Sequence, residues 1–374
     1  MSVGARAKRT VHVVEPTLED YAGHCYALVR SFCDAVGGRL NVKLWAGKNA
    51  ANLGFPSHVE VRPYFGRRLR LLQLLMLFRR LLREGDGPVV VMTARRFDLT
   101  LARLAAGEAL KPGRLFLYFH WFRQTPRRIT YLRKAAAARL PVTILATTES
   151  ATATFESAGF ERVLYLPYPN TAVAADDGNV GFRHLLYAGA ARADKGFKYV
   201  VDLVELLQRR GMQVPVTVQA SAEHYGKYDD ATRADLRRLE RSGYASLRLV
   251  RETLDPVQYA ELFRGAICLQ PYDKNDFRDR VSGVTLDALT YGAPVIGPAG
   301  TWIARQFAEH SAGVALEDMG AESMLGAVQT VMASYGRYRN SALAAGRHLS
   351  ARSWAPLLSL LCYKTRGSRN EKTS

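Results

Sequence analysis

The 374-residue chain has only four cysteines, Cys25, Cys33, Cys268 and Cys362, and no two of them sit at a short paired spacing. A disulfide framework or a cysteine-built zinc site is therefore not expected, and reduced, mostly buried thiols are the default. Long apolar runs are missing too. The run Val11–Val14 is interrupted by His12 and stops at Glu15, which is too short for a secretory signal core. Nothing approaches the ~18–20 uncharged apolar residues that a membrane span needs, so a cytoplasmic location is expected. Solenoid repeats and low-complexity tracts are absent. Acidic residues are scarce in one half only. The first 168 residues carry 26 Lys/Arg against 12 Asp/Glu, and the remainder 26 against 22, within a net charge of +18. Between Ala109 and Thr148 there are eight basic residues and no acidic one. A cationic first half points to an anionic partner there, whether a membrane surface, a nucleic acid or a phosphorylated acceptor; a generally arginine-rich composition is the plainer alternative.

What is present is enough apolar residue, 48%, for full cores, and a length that suits two domains. Short apolar runs at Thr10–Val14, Leu40–Trp45, Pro88–Thr93, Leu115–His120 and Val142–Thr147 read as strands, with helical segments such as Tyr21–Val36 between them. A turn-rich stretch, Pro167–Gly181, loses all periodicity and reads as a linker. A second series then runs through strands at Leu185–Tyr187, Val214–Gln219, Leu247–Val250, Ala266–Gln270 and Pro294–Ile296. Its helices are expected at Phe197–Arg210, Pro256–Phe263 and Val284–Tyr291. Strands alternating with helices predict α/β domains with parallel sheets. The expected division is 1–168, a linker at 169–181, a second Rossmann-like domain at 182–350, and a C-terminal helix within 351–374 that returns to the first domain. Two such domains are expected to face each other across a cleft where ligands bind.

Two stretches carry chemistry. In Asp279-Arg-Val-Ser282-Gly283-Val284-Thr-Leu-Asp287, Ser-Gly directly precedes an apolar helical run. Exposed amides at a helix start beside a glycine can cradle a diphosphate. Asp279 and Asp287 flank that turn and could hold hydroxyls on either side of the diphosphate. An N-cap serine between two solvated aspartates is the plainer reading. In Leu186-Tyr-Ala-Gly189-Ala-Ala-Arg192-Ala-Asp-Lys195-Gly196-Phe197, a strand ends in a glycine turn, presents two cations and opens a helix. Arg as a fork and Lys as a point charge suit a diphosphate.

These stretches resemble the donor site of retaining GT-B glycosyltransferases, family 4 in particular. Asp279 and Asp287 stand where the family has the two glutamates of its Glu-x7-Glu region, each one methylene shorter. Ser282-Gly283-Val284 matches the phosphate loop, and Gly292-Ala-Pro294-Val-Ile the segment after it. Lys195-Gly196 matches the Lys-Gly pair, while Arg192 lies two positions beyond the family's arginine. The resemblance implies that Asp279 holds the donor sugar, Asp287 the ribose, and Lys195 with Arg192 the diphosphate. It also implies roles for Arg251 near the base, for His120 at the end of an aromatic strand, and for Gly23 in a loop facing the diphosphate; taken alone, His120 is equally a buried structural histidine. No Asp-x-Asp occurs, so neither a metal nor another cofactor is expected. The implied activity is metal-independent, retaining transfer from a nucleotide sugar to a glycan or lipid-linked acceptor, without a nucleic-acid partner. An epimerase or phosphorylase on the same scaffold, or a basic binding module without catalysis, are the competing readings.

The stretch Gly66–Arg83 contains no acid. On a helix, Arg70, Gln73 and Arg80 fall on one side, and Leu69, Leu72, Met76 and Leu82 on the other. That pattern suits a helix on an anionic membrane surface, or an ordinary helix with its leucines in the core.

Overall fold

The computed structural model describes residues 8–21, 24–85, 87–169, 178, 180–220, 228–252, 254–352 and 354–362. The chain divides into two compact units, residues 1–169 with 352–374, and residues 170–351.

In the first unit the elements run β1 (Thr10–Glu15), α1 (His24–Val36), β2 (Asn41–Gly47), β3 (Val59–Phe65), α2 (Arg70–Arg79), β4 (Val89–Val91), α3 (Arg96–Ala106), β5 (Leu115–Phe119), α4 (Pro126–Ala137), β6 (Thr143–Ala146), α5 (Glu149–Ser157) and β7 (Val163–Tyr165). The seven strands form one parallel sheet in the order β3-β2-β1-β4-β5-β6-β7. Its central strands, Val-Val-Val in β4 and Leu-Phe-Leu-Tyr-Phe in β5, are buried on both faces, which is why they read as unbroken apolar runs. Val89, Val91, Leu115 and Leu117 pack on one side with Leu74, Leu77, Phe78 and Leu99. Val90, Phe116 and Tyr118 pack on the other with Leu28, Phe32, Trp354 and Leu357.

In the second unit the order is β8 (His184–Tyr187), α6 (Phe197–Arg209), β9 (Val216–Gln219), α7 (Asp230–Arg241), β10 (Leu247–Val250), α8 (Pro256–Glu261), β11 (Ala266–Leu269), α9 (Gly283–Thr290), β12 (Val295–Pro298), α10 (Trp302–Ala308), β13 (Gly313–Leu316), α11 (Ala321–Ala333) and α12 (Tyr335–Arg352). The sheet is again parallel, ordered β10-β9-β8-β11-β12-β13. A final helix, α13 (Ala355–Cys362), packs in the first unit: the Trp354 indole donates to Ser31 Oγ at 3.0 Å, and its ring meets Phe32 edge-on at 5.2 Å. In each sheet the strand order reverses next to the first strand, between β1 and β4 and between β8 and β11. Ligands bind at the carboxyl ends of strands at such points.

The edge strands β3, β7 and β13 were not evident from the sequence. They are half-exposed, and β3 contains Pro63, so none shows a buried run. The face assignment of the basic stretch is corrected. On α2 and the turn after it, Leu74, Leu77, Phe78, Leu81 and Leu82 are the buried residues. Leu69, Leu71, Leu72 and Met76 are instead more than half exposed, with Arg79, Arg80 and Arg83 exposed beside them.

Candidate functional site

At the switch point of the second unit, the loops after β8 and β11 meet. Gly189 ends β8 at φ +94°, a conformation that L side chains rarely adopt. A Cβ added there would lie 2.6 Å from Lys195 Nζ and 3.6 Å from Val284 Cγ2. Both the ammonium and the first turn of α9 therefore border the gap that Gly189 leaves. The Gly189 amide donates to Gln219 Oε1 at 2.7 Å, which anchors the turn to the neighbouring strand. Gly196, at φ +63°, starts α6, and a Cβ there would sit 1.8 Å from the Pro271 carbonyl oxygen. The Lys-Gly pair is thus clamped against the exit of β11, and only glycine fits at its second position.

Lys195 is half-buried and forms no ion pair among the described residues; its ammonium lies 5.4 Å from the Tyr272 ring centroid. Burial, helped by the nearby Arg192 and Arg280 charges, pushes its pKa down to about 8, against the opposing pull of Asp194. Arg192 grips Asp194 with two bonds, of 2.8 and 2.6 Å, and Arg280 reaches the same carboxylate at 3.3 Å. The cations near Lys195 thus share one internal counter-charge.

Helix α9 faces this group with its amino end. Ser282 is its N-cap, and the buried hydroxyl accepts from the Thr285 amide at 3.3 Å. The amides of Gly283 and Val284 have no acceptor among the described residues. A Cβ built on Gly283 meets nothing within 4 Å, so the space over this helix start is open. Behind it, the Thr285 hydroxyl donates to the fully buried Gln270 at 2.6 Å and ties α9 to the end of β11.

Asp287 lies one turn further on. Its carboxylate accepts from the Tyr259 hydroxyl at 3.0 Å, within a group of rings in which Tyr259 meets Phe263 edge-on and Phe263 stacks on Tyr291. Burial pushes its pKa up to about 6, and the Tyr259 hydrogen bond acts in the opposite sense. Asp279 sits in the loop before α9, where Arg305 of α10 approaches it at 3.4 Å while also bonding the Arg278 carbonyl oxygen. Arg251 follows β10 and pairs with Glu240 of α7. Together with Ala220, Tyr228 and Arg237 these two residues line a cavity of about 330 Å³ at the ends of β9 and β10.

In the first unit, His120 directly follows β5, with its ring against Tyr118 (4.8 Å) and Tyr168 (5.0 Å); Thr147 donates to its carbonyl oxygen at 2.8 Å. Gly23 lies outside the described residues. The structure therefore brings Lys195, Arg192, Ser282, Gly283 and Val284 into one group, places Asp287 one turn behind it, and sets Asp279 and Arg251 on adjoining loops.

The bonds that tie the group together were not legible in the sequence: those of Gln219 to the Gly189 amide, Gln270 to Thr285, Tyr259 to Asp287 and Arg280 to Asp194 all join residues distant along the chain. In the first unit Glu15, fully buried at the end of β1, accepts from Thr17 and from Thr93 at 2.7 Å.

No protein-family model and no curated protein sequence matches the chain. Solved structures do. The chain is similar to the sucrose-phosphate synthase of Thermosynechococcus elongatus, with a TM-score of 0.68 and 13% identity over 94% of this chain and 96% of that one. It is similar to Anabaena HepE in complex with UDP and glucose (0.64, 14%, 92% and 95%). It also resembles WaaG, a glycosyltransferase involved in lipopolysaccharide biosynthesis (0.60, 14%, 94% and 98%). At such identities the likeness establishes the fold, which is the GT-B fold with its two Rossmann-like units.

Proposed function

We propose that this GT-B protein transfers a sugar from a nucleoside diphosphate sugar to an acceptor hydroxyl, with retention of anomeric configuration and without a metal ion at the donor site. The observation that carries the reading is the half-buried ammonium of Lys195, without an ion-pair partner among the described residues and set beside the open amino end of α9. Burying a cation without a partner is costly unless an anion completes the site. A diphosphate would take the ammonium on one side and the Gly283 and Val284 amides on another. As the bond to the sugar breaks, negative charge grows on the departing diphosphate. Fixed donors already aimed at that charge lower the barrier without rearrangement.

The other residues follow from this placement. Arg192 adds a second cation. Asp287 accepts from ribose hydroxyls and Asp279 from hydroxyls of the donor sugar; the shorter aspartate reaches ~1.5 Å less than a glutamate, so the ligand must sit closer to the backbone. Arg251 borders the cavity suited to the base. His120 and Gly23 are proposed, on the resemblance alone, to act in the same reaction. The UDP and glucose held by HepE support a nucleoside diphosphate sugar as donor. An acceptor hydroxyl attacks the anomeric carbon on the face the diphosphate leaves, and its proton passes to a diphosphate oxygen, so no side-chain nucleophile is required.

For the acceptor we favour a membrane-associated glycan or lipid-linked sugar, reached from the cytoplasmic side. The support is the face of α2, where exposed Leu69, Leu72 and Met76 lie among exposed Arg79, Arg80 and Arg83. The involvement of WaaG in lipopolysaccharide biosynthesis points the same way. Among the described residues no helix is long and apolar enough to cross a membrane, so attachment would be peripheral. Calorimetry with uridine, guanosine, thymidine and adenosine diphosphates tests the donor reading. Binding of one of them, abolished by Lys195→Ala, is expected; no binding of any would defeat it.

A further inference from the structure

Apart from the residues grouped around Lys195, Glu309, His310 and His348 converge, with one ligand atom from each lying within 4.8 Å of the others. The two imidazole rings stand 5.2 Å apart at 60°, and both Nε2 atoms are buried without a hydrogen-bond partner among the described residues. A buried ring nitrogen without a partner is disfavoured, and two imidazoles gathered with a carboxylate are a donor set.

Two backbone constraints hold this set in place. After α10 the chain closes a tight turn, with Ser311 N–H bonding Ala308 O at 3.0 Å and Ala312 N–H bonding Phe307 O at 2.9 Å. Ser311 takes φ +52° to do so, a position usually given to glycine. That turn aims His310. On α12, a Cβ at Gly346 would lie 2.6 Å from the Leu289 carbonyl oxygen, so the helix packs hard against the end of α9 and fixes His348 two residues further on.

We propose that Glu309, His310 and His348 form a binding site for a divalent transition-metal ion, with zinc as the natural occupant. Two imidazoles and one carboxylate suit zinc at about 2.0–2.2 Å per bond, whereas calcium and magnesium prefer sites built wholly of oxygen. Ligand atoms around such an ion lie ~3.3 Å apart, which modest side-chain rotation from the present spacing supplies. Water completes the coordination. The ion pins the last turns of α12 to the end of α10 and takes no part in the donor chemistry.

The test uses the untagged full-length chain. Equilibrium dialysis is expected to load one zinc ion per chain, and His310→Gln or His348→Gln to weaken it at least 100-fold. Glu309→Gln, on an exposed side chain that cannot disturb the fold, should weaken it about tenfold. Cobalt(II) should give the visible bands of a four-coordinate site without a thiolate charge-transfer band. Stoichiometric binding that survives the histidine substitutions, a thiolate band, or no binding by the unaltered chain overturns the assignment.

Discussion

Lys195→Met separates the cost of the site from its use. Methionine keeps an unbranched apolar stem, one atom shorter, and removes the charge. Folding lowers the lysine pKa from 10.5 to about 8, and at ~1.36 kcal/mol per unit the buried charge costs the fold about 3 kcal/mol at neutral pH. Because the folded value lies below the unfolded one, that cost is fully present below pH 8 and fades as pH rises from 8 to 10.5. The substituted protein should therefore melt roughly 6–12 °C higher at pH 7, given ~2–4 °C per kcal/mol for a unit of this size. The gap should close by pH 10.5. Over the same substitution, calorimetry should show nucleoside diphosphate binding falling at least 100-fold. In the unaltered protein, affinity should decline above pH 8, where the free site loses its proton, and binding there should take up a proton from the buffer. A substituted protein that melts at or below the parent temperature at pH 7 would refute the electrostatic argument. One that still binds diphosphate would refute the assignment of the ammonium to it.

Gly189→Ala forces a side chain into a positive φ and onto the ammonium; a loss of about 1–2 kcal/mol in denaturant unfolding is expected, with donor affinity down about tenfold by calorimetry. Asp287→Asn removes a carboxyl whose folded pKa, about 6, lies above its ordinary 3.8. The penalty on its charged form is present above pH 6 and fades as pH falls toward 3.8, so stability curves of the two proteins should converge over that window while nucleoside binding weakens about tenfold at pH 7. Leu72→Glu with Met76→Glu should cut sedimentation with anionic phospholipid vesicles at least tenfold and leave nucleotide binding unchanged. Tyr259→Phe deprives Asp287 of its donor and should cost about 1–3 kcal/mol of stability by the same unfolding assay.

The sequence displayed the two parallel sheets clearly where strands are buried on both faces, as at Val89–Val91 and Leu115–Phe119, because burial alone writes an apolar run. It hid β3, β7 and β13, where one side of the sheet ends in solvent and the composition is mixed. Of the site, the elements with a backbone reason were legible: Gly196 must be glycine beside Pro271, and Ser282-Gly283 opens a helix. The long-range partners were not. The bonds from Tyr259 to Asp287 and from Arg280 to Asp194 join residues 28 and 86 positions apart, and only the folded chain brings them together. The exposed leucines of α2 misled for a related reason: apolar residues surround that helix, so periodicity could not say which arc faces inward.

On the proposed donor site, the Arg192–Asp194–Arg280 triplet would have a consequence for turnover. Asp194 would act as a resident competitor: an incoming phosphate would have to win guanidinium bonds that are already made, so part of the attraction would be cancelled in advance. A site with two unopposed arginines would hold a spent nucleotide tightly and stall on it. With Asp194 ready to reclaim both side chains, a leaving nucleotide would have a replacement waiting, and the site would exchange peak affinity for speed of release.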